Sequence, residues 1–379
     1  MRKVLVYSIP FGSGPTAKAL VIAERLRRQH SVQLATYSHG LDLARRSGSG
    51  LSVIDTAGRG IGELKPILDE GLDVLVSVMD LTVARLVKEY SPGTAVVFVD
   101  SLLSWRLHEY PDLALGDLDV VDLYIAQYDP GLDLEQLSSR LRPPGDWLHL
   151  VLPLVVPVGP ASVEEHGSGL LLHYGGVSSP VAAARRYMRF IRSTTSVVLD
   201  VVRGSCDVAI ASVEDVARVL ATSNVQAAGT RYGCFGYGAF QRAIGRTQLL
   251  VTTPGLETTY EGIAAGRPVL LLPPLNSTQL HQVMSFHSAG LSCAIPDSAW
   301  PDLYQIHGAR IHYADKTGRL CDLADQLATS HAYWDVLAGA LEDSVSSPLS
   351  RQRMVEAQRR LLPPQLEDGL CLIDAFVAR

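Results

Sequence analysis

The feature that most restricts what this chain can fold into is a recurrence of short, unbroken apolar runs. KVLVYSI (3–9), SVQLAT (31–36), LSVIDT (51–56), LDVLVSVM (72–79) and TAVVFVD (94–100) carry their Val, Leu and Ile at consecutive positions more than at alternating ones. A strand of that kind is covered on both faces, which is the situation of a strand in a parallel sheet between helical layers. The stretches between the runs agree. Residues 16–28 place Ala19, Leu20, Ile22, Ala23 and Leu26 on one side of a helix, and further helices are expected at 61–70 and 80–90. VDLYIAQY (121–128) supplies one more strand. Strand and helix in alternation predict a doubly wound α/β domain.

The alternation stops at LPLVVPVGPASVEEHGSG (152–169), which is rich in Pro, Gly and Ser and has no helical period. It restarts with GLLLHY (169–174), a long helix at 180–200, and the strands DVAIAS (207–212), NVQAAGT (224–230), QLLVTT (248–253) and PVLLLP (268–273). The tail, 351–379, reads as helix broken by Pro363 and Pro364. The expected organisation is a first Rossmann-like domain at 1–155, a linker at 156–168, a second Rossmann-like domain at 169–350 and a C-terminal helix at 351–379 that crosses back to the first. A chain of 379 residues suits two such cores facing a cleft.

Composition narrows the function classes. With 47% hydrophobic and 19% charged residues the chain is globular. The net charge of −6 and the lack of a Lys/Arg block argue against nucleic acid as the partner. The cysteines at 206, 234, 293, 321 and 371 form no C-x-x-C pair, so a reducing cytoplasm is the expected setting. The N-terminal apolar run, Val4 to Pro10, leads straight into a Gly-rich turn and reads as a first buried strand, not a leader. No apolar run approaches the roughly 18 residues of a membrane helix, so no membrane partner is expected. Arginine outnumbers lysine and Ala, Gly, Leu and Val abound, a bias of GC-rich bacteria.

The chemistry is densest in TTPGLETTYEGIAAGRPVLLLPPLNSTQ (252–279). A strand ends at Thr253, the chain turns at Pro254-Gly255, and a helix opens near Thr258. Ligands of open α/β sheets sit beyond the carboxyl ends of the strands, and the first turn of a helix offers unpaired N–H groups to an anion. Thr258 and Thr259 can add hydroxyls, and Glu261, one turn on, can accept from a vicinal diol. The plainer reading is that Glu257 or Thr258 caps a helix. A second glycine pair, Gly175-Gly176 in HYGGVSSP (173–180), follows a strand and is joined by Ser178 and Ser179. A third loop, FGSGPTAKAL (11–20), carries Gly12, Ser13 and Gly14. Its third fingerprint position is Ala17, and no acidic ribose partner is clear, so a nucleotide-dependent dehydrogenase is the weaker reading.

The run Thr253, Gly255, Thr258, Thr259, Glu261, Gly266, Pro268, Pro274, Gln279 resembles, in order and spacing, the nucleotide-sugar signature of the GT-B glycosyltransferases, in particular the UDP-dependent enzymes of plants, macrolides and antibiotic tailoring. The resemblance implies a UDP-sugar donor, inversion at the anomeric carbon, and no metal or other cofactor. It implies phosphate contacts from Thr253, Thr258, Thr259, Gly12, Ser13, Gly14, Gly175, Gly176 and Ser178. It implies a ribose contact from Glu261 and sugar contacts from Thr278 and Gln279. The chain departs from the pattern in three places. Thr253 stands where the family has a histidine, Thr278 where it has an acid, and Pro15 where many members have the catalytic histidine. The base platform is also missing upstream; Phe235 or Tyr237 in RYGCFGYGAF could stack on the base instead, or both could be core aromatics.

With Pro15 at the histidine position, the base falls to Asp100, at the end of VVFVD, or to His39 in TYSHG. The expected activity is transfer of a sugar to a small-molecule acceptor in secondary metabolism. A narrower reading is a cytosine-type acceptor and UDP-glucuronate, as in cytosylglucuronate synthases, with Arg231 or Arg267 meeting the acidic sugar. Two alternatives stay open. One is a UDP-sugar epimerase of the same fold; the other is a non-catalytic GT-B partner protein.

Overall fold

The structure is a computed structural model that describes residues 1–10, 12–57, 60–110, 118–132, 147–154, 169–177, 182–202, 206–210, 214–222, 229–363 and 366–379. The chain divides into two compact units, Met1–Val156 with Pro363–Arg379, and Pro157–Leu362. The expected linker at 156–168 lies outside the described residues. The chain leaves the second unit at Leu362, so the boundary expected at 350 falls one helix later.

Unit 1 is built on seven strands: β1 (Lys3–Ser8), β2 (Ser31–Thr36), β3 (Ser52–Asp55), β4 (Val74–Val78), β5 (Ala95–Asp100), β6 (Leu123–Gln127) and β7 (Leu148–Val151). They form one sheet in the order β3-β2-β1-β4-β5-β6-β7, with every described pairing parallel. The apolar runs of β1, β4 and β5 become strands buried on both faces, whereas β3, at the sheet edge, has no fully buried residue and β2 is buried only over Leu34–Thr36. Val4, Leu5 and Val6 of β1 and Val96 to Val99 of β5 are at most 2% exposed. Each such side chain stabilises the fold by about 1.5–3 kcal/mol. Helices α1 (Gly14–Leu26), α2 (Ser38–Arg46), α3 (Lys65–Asp69), α4 (Leu81–Tyr90) and α5 (Leu103–Glu109) follow their strands. Asp80 caps α4 by accepting from the N–H groups of Thr82 (2.9 Å) and Val83 (3.1 Å). The strand order reverses between β1 and β4, and this is the unit's topological switch point.

Unit 2 carries β8 (Leu170–Tyr174), β9 (Cys206–Ile210), β10 (Arg231–Gly233), β11 (Leu249–Thr252) and β12 (Val269–Leu271), ordered β10-β9-β8-β11-β12 and again parallel. Of the strand expected at 224–230, residues 224–228 lie outside the described set, and the described strand is Arg231–Gly233. The helices are α6 (Met188–Val201), α7 (Glu214–Thr222), α8 (Tyr237–Arg246), α9 (Leu256–Ala264), α10 (Ser277–Ser288), α11 (Trp300–Gly308), α12 (Tyr313–Leu327), α13 (His331–Ser346) and α14 (Pro348–Arg359). The switch point here lies between β8 and β11.

After Leu362 the chain re-enters unit 1. Leu152 donates its N–H to the carbonyl of Glu367 (3.0 Å). The last helix, α15 (Gly369–Ala378), then starts at Gly369, where a Cβ would come within 2.8 Å of Val151 and 2.7 Å of Leu154. Asp374 of this helix pairs with Arg25 of α1 at 2.5 Å. Among the described residues, no helix is long and apolar enough to cross a membrane.

Candidate functional site

In unit 2 the loops after β8 and β11 flank the switch point, where a doubly wound sheet opens a crevice beyond its strand ends. Between them begins α9. Its first backbone N–H to find an acceptor within the helix is that of Thr259, which donates to the carbonyl of Gly255 (2.9 Å). The N–H groups of the preceding turn have no intrahelical acceptor by construction, and the helix dipole makes that end positive. Thr258 is half-buried there, so its hydroxyl can be reached.

Most of the other polar side chains picked out by the motif are turned inward. The hydroxyl of Thr253 is fully buried; it accepts from the N–H of Gly175 (2.8 Å) and donates to that residue's carbonyl (2.9 Å). Gln279 donates its amide to the same carbonyl (2.9 Å) and accepts from the N–H of Leu275 (2.8 Å). Asn276 donates to the carbonyl of Gly176 (3.3 Å), while its side-chain oxygen accepts from the N–H of Gln279 (3.0 Å) and the hydroxyl of Thr278 (2.7 Å). The amides of LNSTQ thus tie the loop after β12 to the loop after β8. The polar groups of Thr278 and Gln279, expected to meet the sugar, and of Thr253, expected to meet phosphate, are engaged in this internal bonding.

The glycines serve the same packing. Gly176 has φ +67, and a Cβ there would lie 2.5 Å from the Gln279 amide and 2.6 Å from that of Asn276. A Cβ on Gly175 would come within 3.0 Å of the His173 ring. His173 itself is buried against Phe240, with ring centroids 4.7 Å apart. Its Nδ1 donates to the hydroxyl of Thr252 (3.0 Å), which passes its own proton to the carbonyl of Thr253 (2.9 Å). Burial lowers the imidazole pKa to about 3, so it is a neutral member of the network.

Glu261 lies one turn into α9, 3% exposed, and accepts from the side-chain amide of Gln241 in α8 at 2.5 Å. The hydroxyl of Thr259 is buried without a hydrogen-bond partner, as is the side-chain oxygen of Gln241. Thr259 is thus buried at the start of α9, beside Glu261 in sequence. Ser178 lies outside the described residues.

In unit 1 the corresponding switch point brings Gly12 and Ser13, ahead of α1, and Gly14, its first residue, to the side of His39 at the start of α2. Gly12 has φ +74 and accepts from Nε2 of His39 at 3.1 Å. A carbonyl only accepts, so Nε2 carries the proton and Nδ1 keeps its lone pair. Burial lowers the pKa of His39, against opposing pulls from the Gly12 carbonyl and Asp42. Asp80 and Tyr37 stand at the same edge, and together with burial Asp80 raises the pKa of Tyr37.

No family model matches this chain, and no curated protein does. Solved structures do. CalG4, the calicheamicin glycosyltransferase, superposes with a TM-score of 0.51 at 14% identity, over 100% of this chain and 99% of that one. Acinetobacter baumannii MurG gives 0.50 at 12% identity, over 100% and 99%. S. aureus MnaA, in a structure with UDP, gives 0.50 at 11% identity, over 85% and 94%. The fold is GT-B.

Within the GT-B frame, several residues singled out by sequence do not stand where the chemistry would need them. Asp100 ends β5 as expected, but it is fully buried. Its carboxylate takes an ion pair from Arg106, the hydroxyl of Tyr124 (2.5 Å) and the N–H of Leu102 (2.9 Å). That makes it an internal counter-ion and not a base. Phe235 lines a concavity of 340 Å³ with Gly169, Asp207, Arg231 and Arg246. Gly169, Asp207 and Arg231 stand at the beginnings of their strands, whereas Phe235 follows the carboxyl end of β10, its ring 3.2 Å from where a Cβ on Gly233 would lie, so the concavity runs along the strand from one edge toward the other. Arg231 is paired with Asp207 at 2.6 Å, and Arg267 also precedes a strand. Neither arginine meets a sugar at the carboxyl edge. Tyr37 and Asp80, at the ends of β2 and β4 next to the Gly12 loop, were not singled out as site residues by the sequence.

Proposed function

We propose that this protein transfers a sugar from a UDP-sugar to a small-molecule acceptor, with inversion and without a metal, as a tailoring step of bacterial secondary metabolism in the cytoplasm. The reading rests on one observation: the amino end of α9 opens at the switch point of unit 2, beside the Gly175–Gly176 loop and just after Gly255. The diphosphate would sit on the first-turn N–H groups and the Thr258 hydroxyl, with the helix dipole stabilising the charge that builds on the departing UDP. The ribose hydroxyls would take over the Glu261 carboxylate from the Gln241 amide. Two GT-B proteins of similar fold support this choice: one is named as a calicheamicin glycosyltransferase, and the other was solved with UDP.

Unit 1 would bind the acceptor, and His39 would be the base. Its Nδ1 lone pair can take the acceptor's proton as the acceptor oxygen or nitrogen bonds to the anomeric carbon and the bond to UDP breaks. The narrower choice of a cytosine-type acceptor with UDP-glucuronate needs a cation other than Arg231 or Arg267, since both lie at the amino edge.

Calorimetric titration with UDP tests the donor site. Thr258→Val and Glu261→Gln should each weaken binding by about 10-fold, equivalent to ~1.4 kcal/mol; unchanged affinity in both would remove the assignment. Turnover assays on UDP-sugars then separate the classes. A sugar isomer formed without acceptor would favour the epimerase, and UDP binding with no turnover on any acceptor a non-catalytic partner.

A further inference from the structure

At the amino edge of the unit 2 sheet, away from the switch point, Arg267 follows α9 and precedes β12. It is 9% exposed. One of its terminal nitrogens donates to the carbonyl of Gly245, near the carboxyl end of α8. Its Nε–H is buried with no acceptor. No described carboxylate forms an ion pair with it. A buried cation left with one carbonyl costs stability unless something further neutralises it. The negative end of α8 supplies part of that compensation.

The rest of the surroundings are positive as well. Arg267 lines a pocket of 330 Å³ whose opposite wall is α14, with Arg351, Gln352, Glu356 and Arg359. Arg351 is partly committed, donating from one terminal nitrogen to the carbonyls of Ser344 (2.8 Å) and Val345 (2.7 Å). Arg359 is exposed and has no ion-pair partner among the described residues. The one carboxylate in the wall, Glu356, accepts from Gln352 at 2.8 Å. Three guanidiniums therefore face one carboxylate. The volume is at the lower end of small-ligand pockets and larger than a bare oxyanion requires.

We propose that this pocket is a second ligand site that takes a phosphate monoester, free phosphate being its minimal form. Arg267 is the buried anchor, and Arg359, with the free edge of Arg351, closes on the phosphate oxygens. Guanidinium groups suit a phosphate through paired, charge-assisted hydrogen bonds. The site is separate from the α9 amino end, so it stands whether or not the donor site does.

The test is calorimetry and thermal unfolding of the full chain with UDP held at saturation, using inorganic phosphate and glucose 6-phosphate against chloride at equal ionic strength. Both phosphate probes should raise the melting temperature beyond chloride. Tighter binding of glucose 6-phosphate would identify a phosphorylated metabolite as the ligand; equal binding would identify phosphate itself. Arg359→Gln, on the surface, should leave the unliganded melting temperature unchanged and weaken phosphate binding by about 10-fold. Glu356→Gln should strengthen it. Arg267→Met should abolish it, and should that variant not fold, Arg359→Gln decides. A phosphate response no larger than that of chloride, or wild-type affinity in Arg359→Gln, overturns the proposal.

Discussion

The two units present the same topological feature in opposite physical states. At the switch point of unit 2 the loops are bonded to one another: Thr253, Gln279 and Asn276 satisfy the backbone of Gly175 and Gly176, and the left-handed backbone there belongs to glycine. At the carboxyl edge of unit 1, Ser38 (φ 52), Ala57 (φ 47) and Met79 (φ 69) hold left-handed backbone without being glycine, after β2, β3 and β4 respectively. Such positions cost on the order of 1–3 kcal/mol each. His39, Tyr37 and Asp80 stand half-buried among them. One edge is pre-organised by side-chain hydrogen bonds; the other stores strain beside ionisable groups. The proposed division, nucleotide on one unit and acceptor on the other, would draw on this difference.

The comparison can be broken most directly at Gly176. Gly176→Ala puts a Cβ in left-handed backbone and against two amides, and should destabilise the protein by about 3 kcal/mol in urea unfolding. A loss under 1 kcal/mol would mean the loops are not rigidly joined.

The next effect is a pH dependence. His173 stays neutral in the folded state to about pH 3, whereas in the unfolded chain it titrates near 6.5. The unfolded state thus binds more protons between those values, and stability falls as pH drops below 6.5, by up to ~1.4 kcal/mol per pH unit from this group. His173→Gln should flatten that slope in denaturant titrations at pH 5 and 7. For His39 the direction is the same, and it applies to catalysis: with its pKa lowered by burial, activity should hold down through pH 6.5 and fail only below it. A pH–rate profile whose acid limb lies above 6.5 would exclude His39 as the base.

The smallest effect belongs to unit 1. Ala57 is exposed, so Ala57→Gly removes only a methyl group and should stabilise by ~0.5–1 kcal/mol. Neutral or destabilising behaviour would show that its left-handed backbone is not strained.

These contrasts also explain what the sequence could and could not reveal. Strands buried on both faces announce themselves as unbroken apolar runs, which is why β1, β4, β5 and β8 are legible. β7, LHLV, lies at the sheet's edge with three of its four side chains half-buried, and β10 is three residues long; neither leaves a run. The residues that reach the switch point were legible as a spacing, because spacing fixes which of them follow the strand ends. Their roles were not, because the direction of a side chain is set by its partners. Gln279 turns back to Gly175, more than a hundred residues away, and nothing local in LNSTQ specifies that. Asp100 likewise reads as a strand-end carboxylate until Arg106 and Tyr124 close on it.

The carbonyl of Gly175 accepts from both Thr253 and Gln279, so segments separated by long stretches of sequence meet at a single oxygen atom. Anyone grafting the β8, β11 or β12 turn from a relative to alter donor preference would leave a widowed amide or hydroxyl behind. The three turns are heritable only as a set.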